Sequence, residues 1–176
     1  GFLVKAKNGT GDKKSQDYIA QVGTIVVPPV AEAPVPDGMK DGINYNGSDN
    51  SKVTLVLYAP LKQFVYVLGD FNNWETQTNY LLKKDTAKNR FWIELTGLTT
   101  QQNYGFQYLV DGKIRIADPY STTILDEAND KFINSVTYPN LPPYPTGKTS
   151  HAVSLLRTGD AAYNWQVNNF VKPAKS

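Results

Sequence analysis

Cysteine is absent from all 176 residues. That absence removes disulfides, a thiolate nucleophile and thiolate metal sites together. It leaves the compartment open, since cytosolic and exported proteins both dispense with the residue. Histidine occurs once, at His151. No imidazole pair can hold zinc, and a Ser-His-Asp relay would have to use this one ring. It lies in a proline-rich, loop-like stretch, where a structural or solvated histidine is the plainer reading. Net charge is small: 18 Lys and Arg against 16 Asp and Glu give +2, with the basic residues scattered. A nucleic-acid groove or an anionic membrane surface needs them clustered, so neither is an expected partner. No run is long and apolar enough to cross a bilayer. No glycine cluster stands between a strand and a helix as in a phosphate loop, and no cofactor is expected. No secretory signal is visible. The chain opens Gly1-Phe2-Leu3-Val4 without methionine, which reads as a fragment of a longer protein.

What is present is strand after strand. Residues 2–7 and 18–27 alternate as strands around Asn8-Gly9-Thr10-Gly11-Asp12, a turn rich in residues that accept positive φ. Residues 1–27 therefore read as a hairpin, either the tail of a preceding domain or an addition to the main sheet. Residues 28–37 hold four prolines and read as a semi-rigid linker. From 38 to 140 strand signals recur, at 39–45, 53–59, 64–68, 91–96, 104–110, 113–117 and 132–138. Asp111-Gly112 is a strong hairpin turn. Within 104–110, Tyr104, Phe106, Tyr108 and Val110 share one face, and Gly105, Gln107 and Leu109 the other. Sustained 3.6-residue periodicity with caps is missing, so helices should be few. The expected fold is all-β, an antiparallel sandwich of immunoglobulin-like form. Residues 141–176 read as an extended segment, with short strands possible at 151–158 and 163–167.

Carboxylates are dispersed. Asp70 and Asp111 suit turns, and Glu94 suits the polar face of a strand. No spacing sets two of them across a sugar ring, as glycoside hydrolysis requires. Asp126, Asn129 and Asp130 lack the spacing and terminal glutamate of a calcium-binding EF-hand loop.

The chain is organised around Val65 to Trp74. A strand stops at Gly69-Asp70, where a turn is cheap, and Asn72-Asn73 can hold a tight corner through their own backbone. Trp74 follows at the mouth of a polar loop. A flat ring beside amides suits a pyranose, whose C–H face packs on an aromatic while its hydroxyls need polar partners at the rim. The same ring can equally cap the end of a sandwich.

Four segments occur in family order: Gly69-Asp70-Phe71-Asn72-Asn73-Trp74, Phe91-Trp92-Ile93-Glu94-Leu95-Thr96-Gly97-Leu98, Tyr104-Gly105-Phe106-Gln107-Tyr108-Leu109-Val110-Asp111-Gly112 and Ala117-Asp118-Pro119-Tyr120-Ser121. Together they resemble the N-terminal early-set sandwich of glycoside hydrolase family 13 enzymes, which is related to carbohydrate-binding module family 48. The resemblance covers about residues 40 to 140. It implies a non-catalytic module of an α-amylase-like or pullulanase-like enzyme that binds starch- or glycogen-type oligosaccharide weakly. The alternative it implies is a structural domain that docks on the catalytic barrel of the same parent chain. The segment after 140 would lead into that barrel, whose catalytic carboxylates are not in this sequence. Carried over residue by residue, the stacking tryptophan falls on Trp74, with Asn73 beside it. A sugar-binding lysine position is Gln107, and a second aromatic position is Ile114. Where a Pro-Trp pair would follow Asp126, Glu127 and Ala128 stand instead. The carbohydrate-binding residues expected are thus Trp74, Asn73 and Gln107, with Trp74 exposed. Trp92 is expected to point into the core. The family's polysaccharide substrates favour a periplasmic, cell-surface or secreted location.

Overall fold

A computed structural model describes residues 27–161, 166–167 and 169–173. The hairpin expected before residue 27 lies outside these residues, as does most of the strand expected at 163–167. The strands are β1 (Gly42–Tyr45), β2 (Val53–Tyr58), β3 (Val65–Gly69), β4 (Lys83–Asp85), β5 (Arg90–Leu95), β6 (Asn103–Val110), β7 (Ile114–Ile116), β8 (Ile124–Leu125) and β9 (Val153–Arg157). Single 3₁₀ turns stand at Asp70–Asn72, Thr78–Tyr80 and Asp130–Phe132, and no α-helix occurs among the described residues. One sheet runs β1-β2-β5-β4. The other runs β3-β6-β9-β8, with β7 also paired to β6. Every strand pair is antiparallel, so the fold is the expected all-β sandwich.

Alternation builds the core. Leu55 and Leu57 of β2 and Phe91, Ile93 and Leu95 of β5 face Val65 and Val67 of β3 and Tyr104, Phe106, Tyr108 and Val110 of β6. The inward face read for β6 is the one observed. The turn after β6 holds Asp111 and Gly112 at φ 50° and 68°, and Lys113 N–H closes it on Val110 C=O. One polar knot sits in this interior. The buried Asp118 carboxylate accepts from Tyr108 O–H and Tyr120 N–H, both at 2.8 Å, while Asp118 N–H donates to Ser154 Oγ at 2.7 Å.

Four expectations are corrected. The prolines of 28–37 do not form a linker standing apart from the sandwich. Ala33 N–H donates to Lys84 C=O, Lys84 N–H donates to Ala31 C=O, and Val35 N–H donates to Asp85 Oδ2, which docks the segment on β4. Trp92 is buried but faces outward, because Phe91, Ile93 and Leu95 take the inner side of β5. Its ring packs with Val35 and Val56, and its Nε1–H donates to Ala33 C=O at 3.0 Å. The sandwich does not end at 140. β9 pairs with β6 from Asn103↔Arg157 to Phe106↔Ser154. Finally, 132–138 is no strand. Asn134 Oδ1 accepts Val136 N–H, and Thr137 and Tyr138 N–H groups both bond Asn134 C=O, so local side-chain chemistry curls the segment before it can reach a sheet.

Two outcomes follow from these contacts. Trp92→Ala should lower the unfolding free energy by about 3 kcal/mol, the cost of emptying a large buried site. A denaturant melt that moves by less than about 1 kcal/mol would show that the proline segment leaves the ring in water. Burial raises the Asp118 pKa from 3.8, opposed by the bonds from Tyr120 and Tyr108. A folded pKa above the unfolded one means that the folded state binds the proton more tightly. Stability contributed at Asp118 therefore grows as pH falls from the raised value toward 3.8, and is lost on the way back up. Measured against Asp118→Asn, wild-type stability should gain over that window. A flat or falling difference would contradict it.

Candidate functional site

The corner at Trp74 is built by backbone closeness. A Cβ on Gly69 would lie 2.5 Å from Gly105 C=O and 2.9 Å from the Phe71 ring, so only glycine fits where β3 leaves the sheet. Asn72 then locks the turn. Its Oδ1 accepts Gly69 N–H at 2.8 Å, and its Nδ2 donates to Val67 C=O at 2.9 Å. Asn73 and Trp74 both take left-handed backbone, φ 53° and 63°. For a residue as bulky as tryptophan this conformation is strained by on the order of 1 kcal/mol. Trp74 N–H donates to Gly69 C=O at 3.0 Å, which folds the indole back over the sheet.

Asp70 fixes the ring. Its Oδ1 accepts the indole Nε1–H at 3.0 Å, and its Oδ2 accepts Gly105 N–H at 2.6 Å. The ring lies across β6 where Gly105 leaves room, since a Cβ there would approach Trp74 Cζ2 to 3.2 Å. Composition and spacing gave Asp70 only a turn role. The signals for more were its position four residues before a tryptophan and a glycine inside a long strand.

Trp74 and Gln107 do share one face of the β3–β6 pair, but neither is open to solvent. Trp74 is 5% exposed and Gln107 0%, which corrects the expectation of an exposed ring. The cluster of Leu68, Trp74, Leu109, Leu125, Val153 and Leu155 is overlaid by Leu141 and Tyr144. Gln107 Nε2 donates to Ser150 and Ala152 C=O at 2.8 and 2.7 Å, and its Oε1 accepts from Thr149 Oγ1. The physical reason is the return of the chain. Residues 139–152 cross this face on the way to β9, a cover invisible to a reading that closes the domain at 140. Asn73 alone of the three is exposed, and its side chain makes no hydrogen bond among the described residues. Ile114 is 47% exposed.

Among the described residues, Asp111 and Asp126 are each engaged by backbone N–H groups of turns or loop segments. Asp111 Oδ1 accepts Gln63 and Phe64 N–H. Asp126 accepts Ala128 and Asn129 N–H, and these bonds with the Asn129 amide hold its carboxyl below the usual range. No group of three metal-ligating side chains occurs among the described residues.

Asp70→Ala should remove both acceptors, cost about 1–2 kcal/mol of stability, and red-shift the tryptophan emission as the indole loosens. A variant with parental stability and emission would show that packing alone places the ring.

Comparison with known proteins finds a family whose model matches part of the chain. Residues 41–121 match the model for carbohydrate-binding module 48, the isoamylase N-terminal domain. The 1,4-alpha-glucan branching enzyme GlgB of Clostridium perfringens strain ATCC 13124 is 32% identical over 72 residues, 39% of this chain and 11% of that enzyme. GlgB 2 of C. perfringens strain 13 matches to the same extent. The chain thus spans only 11% of the length of these curated relatives. Among solved structures, a GBS pullulanase in complex with maltotetraose is 25% identical, at a TM-score of 0.38, over 49% of this chain and 12% of that one. A Klebsiella pneumoniae pullulanase complexed with maltotriose is 15% identical, at a TM-score of 0.38, over 50% of this chain and 9% of that one. Residues 41–121, the body of the β-sandwich, are thus the part of this chain that is similar to the carbohydrate-binding module 48 family of isoamylase N-terminal type.

Proposed function

We propose that this chain is a non-catalytic β-sandwich module of an α-glucan-active glycoside hydrolase family 13 enzyme and that it binds starch- or glycogen-type oligosaccharide weakly. The family match over residues 41–121 carries this reading. The scattered carboxylates support the non-catalytic part. Asp70, Asp111 and Asp126 are each tied to backbone N–H groups of their own turns or of a neighbouring strand, and hydrolysis needs two facing each other across a substrate. Weak binding follows from the small open platform: Ile114 replaces a second ring, and Trp74 lies under the 139–152 segment. A sugar stacked on Trp74 with Gln107 and Asn73 at its rim would require that segment to lift.

A second reading has its own support. Phe132 and Val136 are 78% and 87% exposed on the turn-rich stretch after β8, and apolar side chains so displayed suit a module that docks on the catalytic barrel of its parent.

Titration of the 176-residue chain with maltoheptaose, followed in its ¹H–¹⁵N spectrum, separates the two. Glucan binding predicts saturable shifts with a dissociation constant near millimolar, about 4 kcal/mol. Absence of any shift at saturating sugar would overturn it in favour of docking.

A further inference from the structure

An open groove of about 680 Å³ runs along the margin where β1 of one sheet faces β9 of the other, away from the Trp74 corner. Its size falls within the ~300–1,000 Å³ typical of small-ligand sites. Tyr45 at the end of β1 and Tyr138 of the post-β8 stretch line it, 52% and 43% exposed. Tyr45 is held in place from behind, because its hydroxyl accepts Arg157 N–H from β9 at 3.4 Å.

The rest of the lining is amide-rich, with Asn46, Asn50, Asn103 and Asn140. The Asn46 oxygen accepts from Ser48 and Asp49 N–H, but its Nδ2 makes no bond among the described residues. Nor do the side chains of Asn50, Asn103 and Asn140 make one among them. A carboxamide offers two donors and an acceptor, which matches hydroxyl groups that both give and take hydrogen bonds. Arg157 and Asp160 are the charged groups of the lining, and they pair with each other at 2.9 Å. The groove therefore presents no unbalanced charge to an anion or a cation.

We propose that this groove binds a neutral, polyhydroxylated ligand, a short oligosaccharide, with Tyr45 and Tyr138 supplying apolar faces for sugar rings and the four asparagines supplying rim hydrogen bonds. The inference rests on the glucan-binding reading above and relocates its contact from the covered Trp74 to an accessible groove.

The test is a maltoheptaose titration of the full chain by ¹H–¹⁵N NMR, beside Tyr138→Ala and Asn103→Ala. Both altered side chains stand at the surface, so the spectra of the free variants should keep the parental dispersion. The expected result is saturable shifts at residues 45–50, 103, 138–140 and 157–159, a silent Trp74 indole, and affinity at least fivefold weaker in each variant. A heparin-derived anionic oligosaccharide should leave the groove signals in place. Shifts confined to the Trp74 indole and its neighbours would overturn the groove and leave the glucan-binding reading standing. A protein silent to maltoheptaose would overturn both. Variants that bind like the parent would overturn the groove, and tighter binding of the anionic sugar would overturn its neutral specificity.

Discussion

Strand β6 is the constraint on which the rest depends. It is paired along both edges, to β3 on one side and to β9 and β7 on the other. From Tyr104 to Val110 every residue is buried, so both faces are covered. From Tyr104 onward the strand has no solvent side, and each of those side chains must be matched by something. The inner aromatics define the core. The outer Gly105 leaves space for an indole, and the outer Gln107 demands hydrogen-bond partners, because a buried amide left unpaired costs about 1–3 kcal/mol. The chain supplies those partners by bringing Ser150 and Ala152 back over the face. The covered state of Trp74 is thus tied to the need to satisfy Gln107.

Strands with clean period-two patterns were legible from residues alone. β2, β3, β5 and β6 fall within a residue or two of where alternation puts them, and the Asp111-Gly112 turn has the positive φ values its dipeptide implies. All but one of the misses are questions of what lies opposite. The outward side of Trp92 was available in the parity of Phe91, Ile93 and Leu95, but its burial depends on Ala33 and Val35, some sixty residues earlier. β9 meets β6 across about fifty residues of chain, and no local pattern specifies such a partner. Residues 132–138 alternate well enough for a strand, yet Asn134 offers the backbone a closer bond.

The candidate site divides in the same way. Sequence order identified the corner, and the structure gives it Asp70 as the group that holds the indole. Whether a ring is presented or covered is a tertiary property, decided here by Leu141 and Tyr144. The groove lined by Tyr45 and Tyr138 draws on β1, β6, β9 and the segments 46–50, 122–123, 138–142 and 159–160. Its asparagines look like ordinary turn residues when read one at a time, and their convergence is a product of the fold.

The docked proline segment also bears on the solution behaviour of the molecule. Strand β4 is the margin of its sheet, and an open margin is a template for unwanted pairing between molecules. Ala31 and Ala33 occupy its hydrogen-bonding groups through a short parallel bridge. The new outer border is then interrupted by Pro28, Pro29, Pro34 and Pro36, which have no N–H to offer a further strand. Among the described residues the segment thus ends the sheet chemically as well as spatially. A chain trimmed after Pro36 would keep most of its interior and acquire a sticky side, with aggregation rather than unfolding as its first symptom.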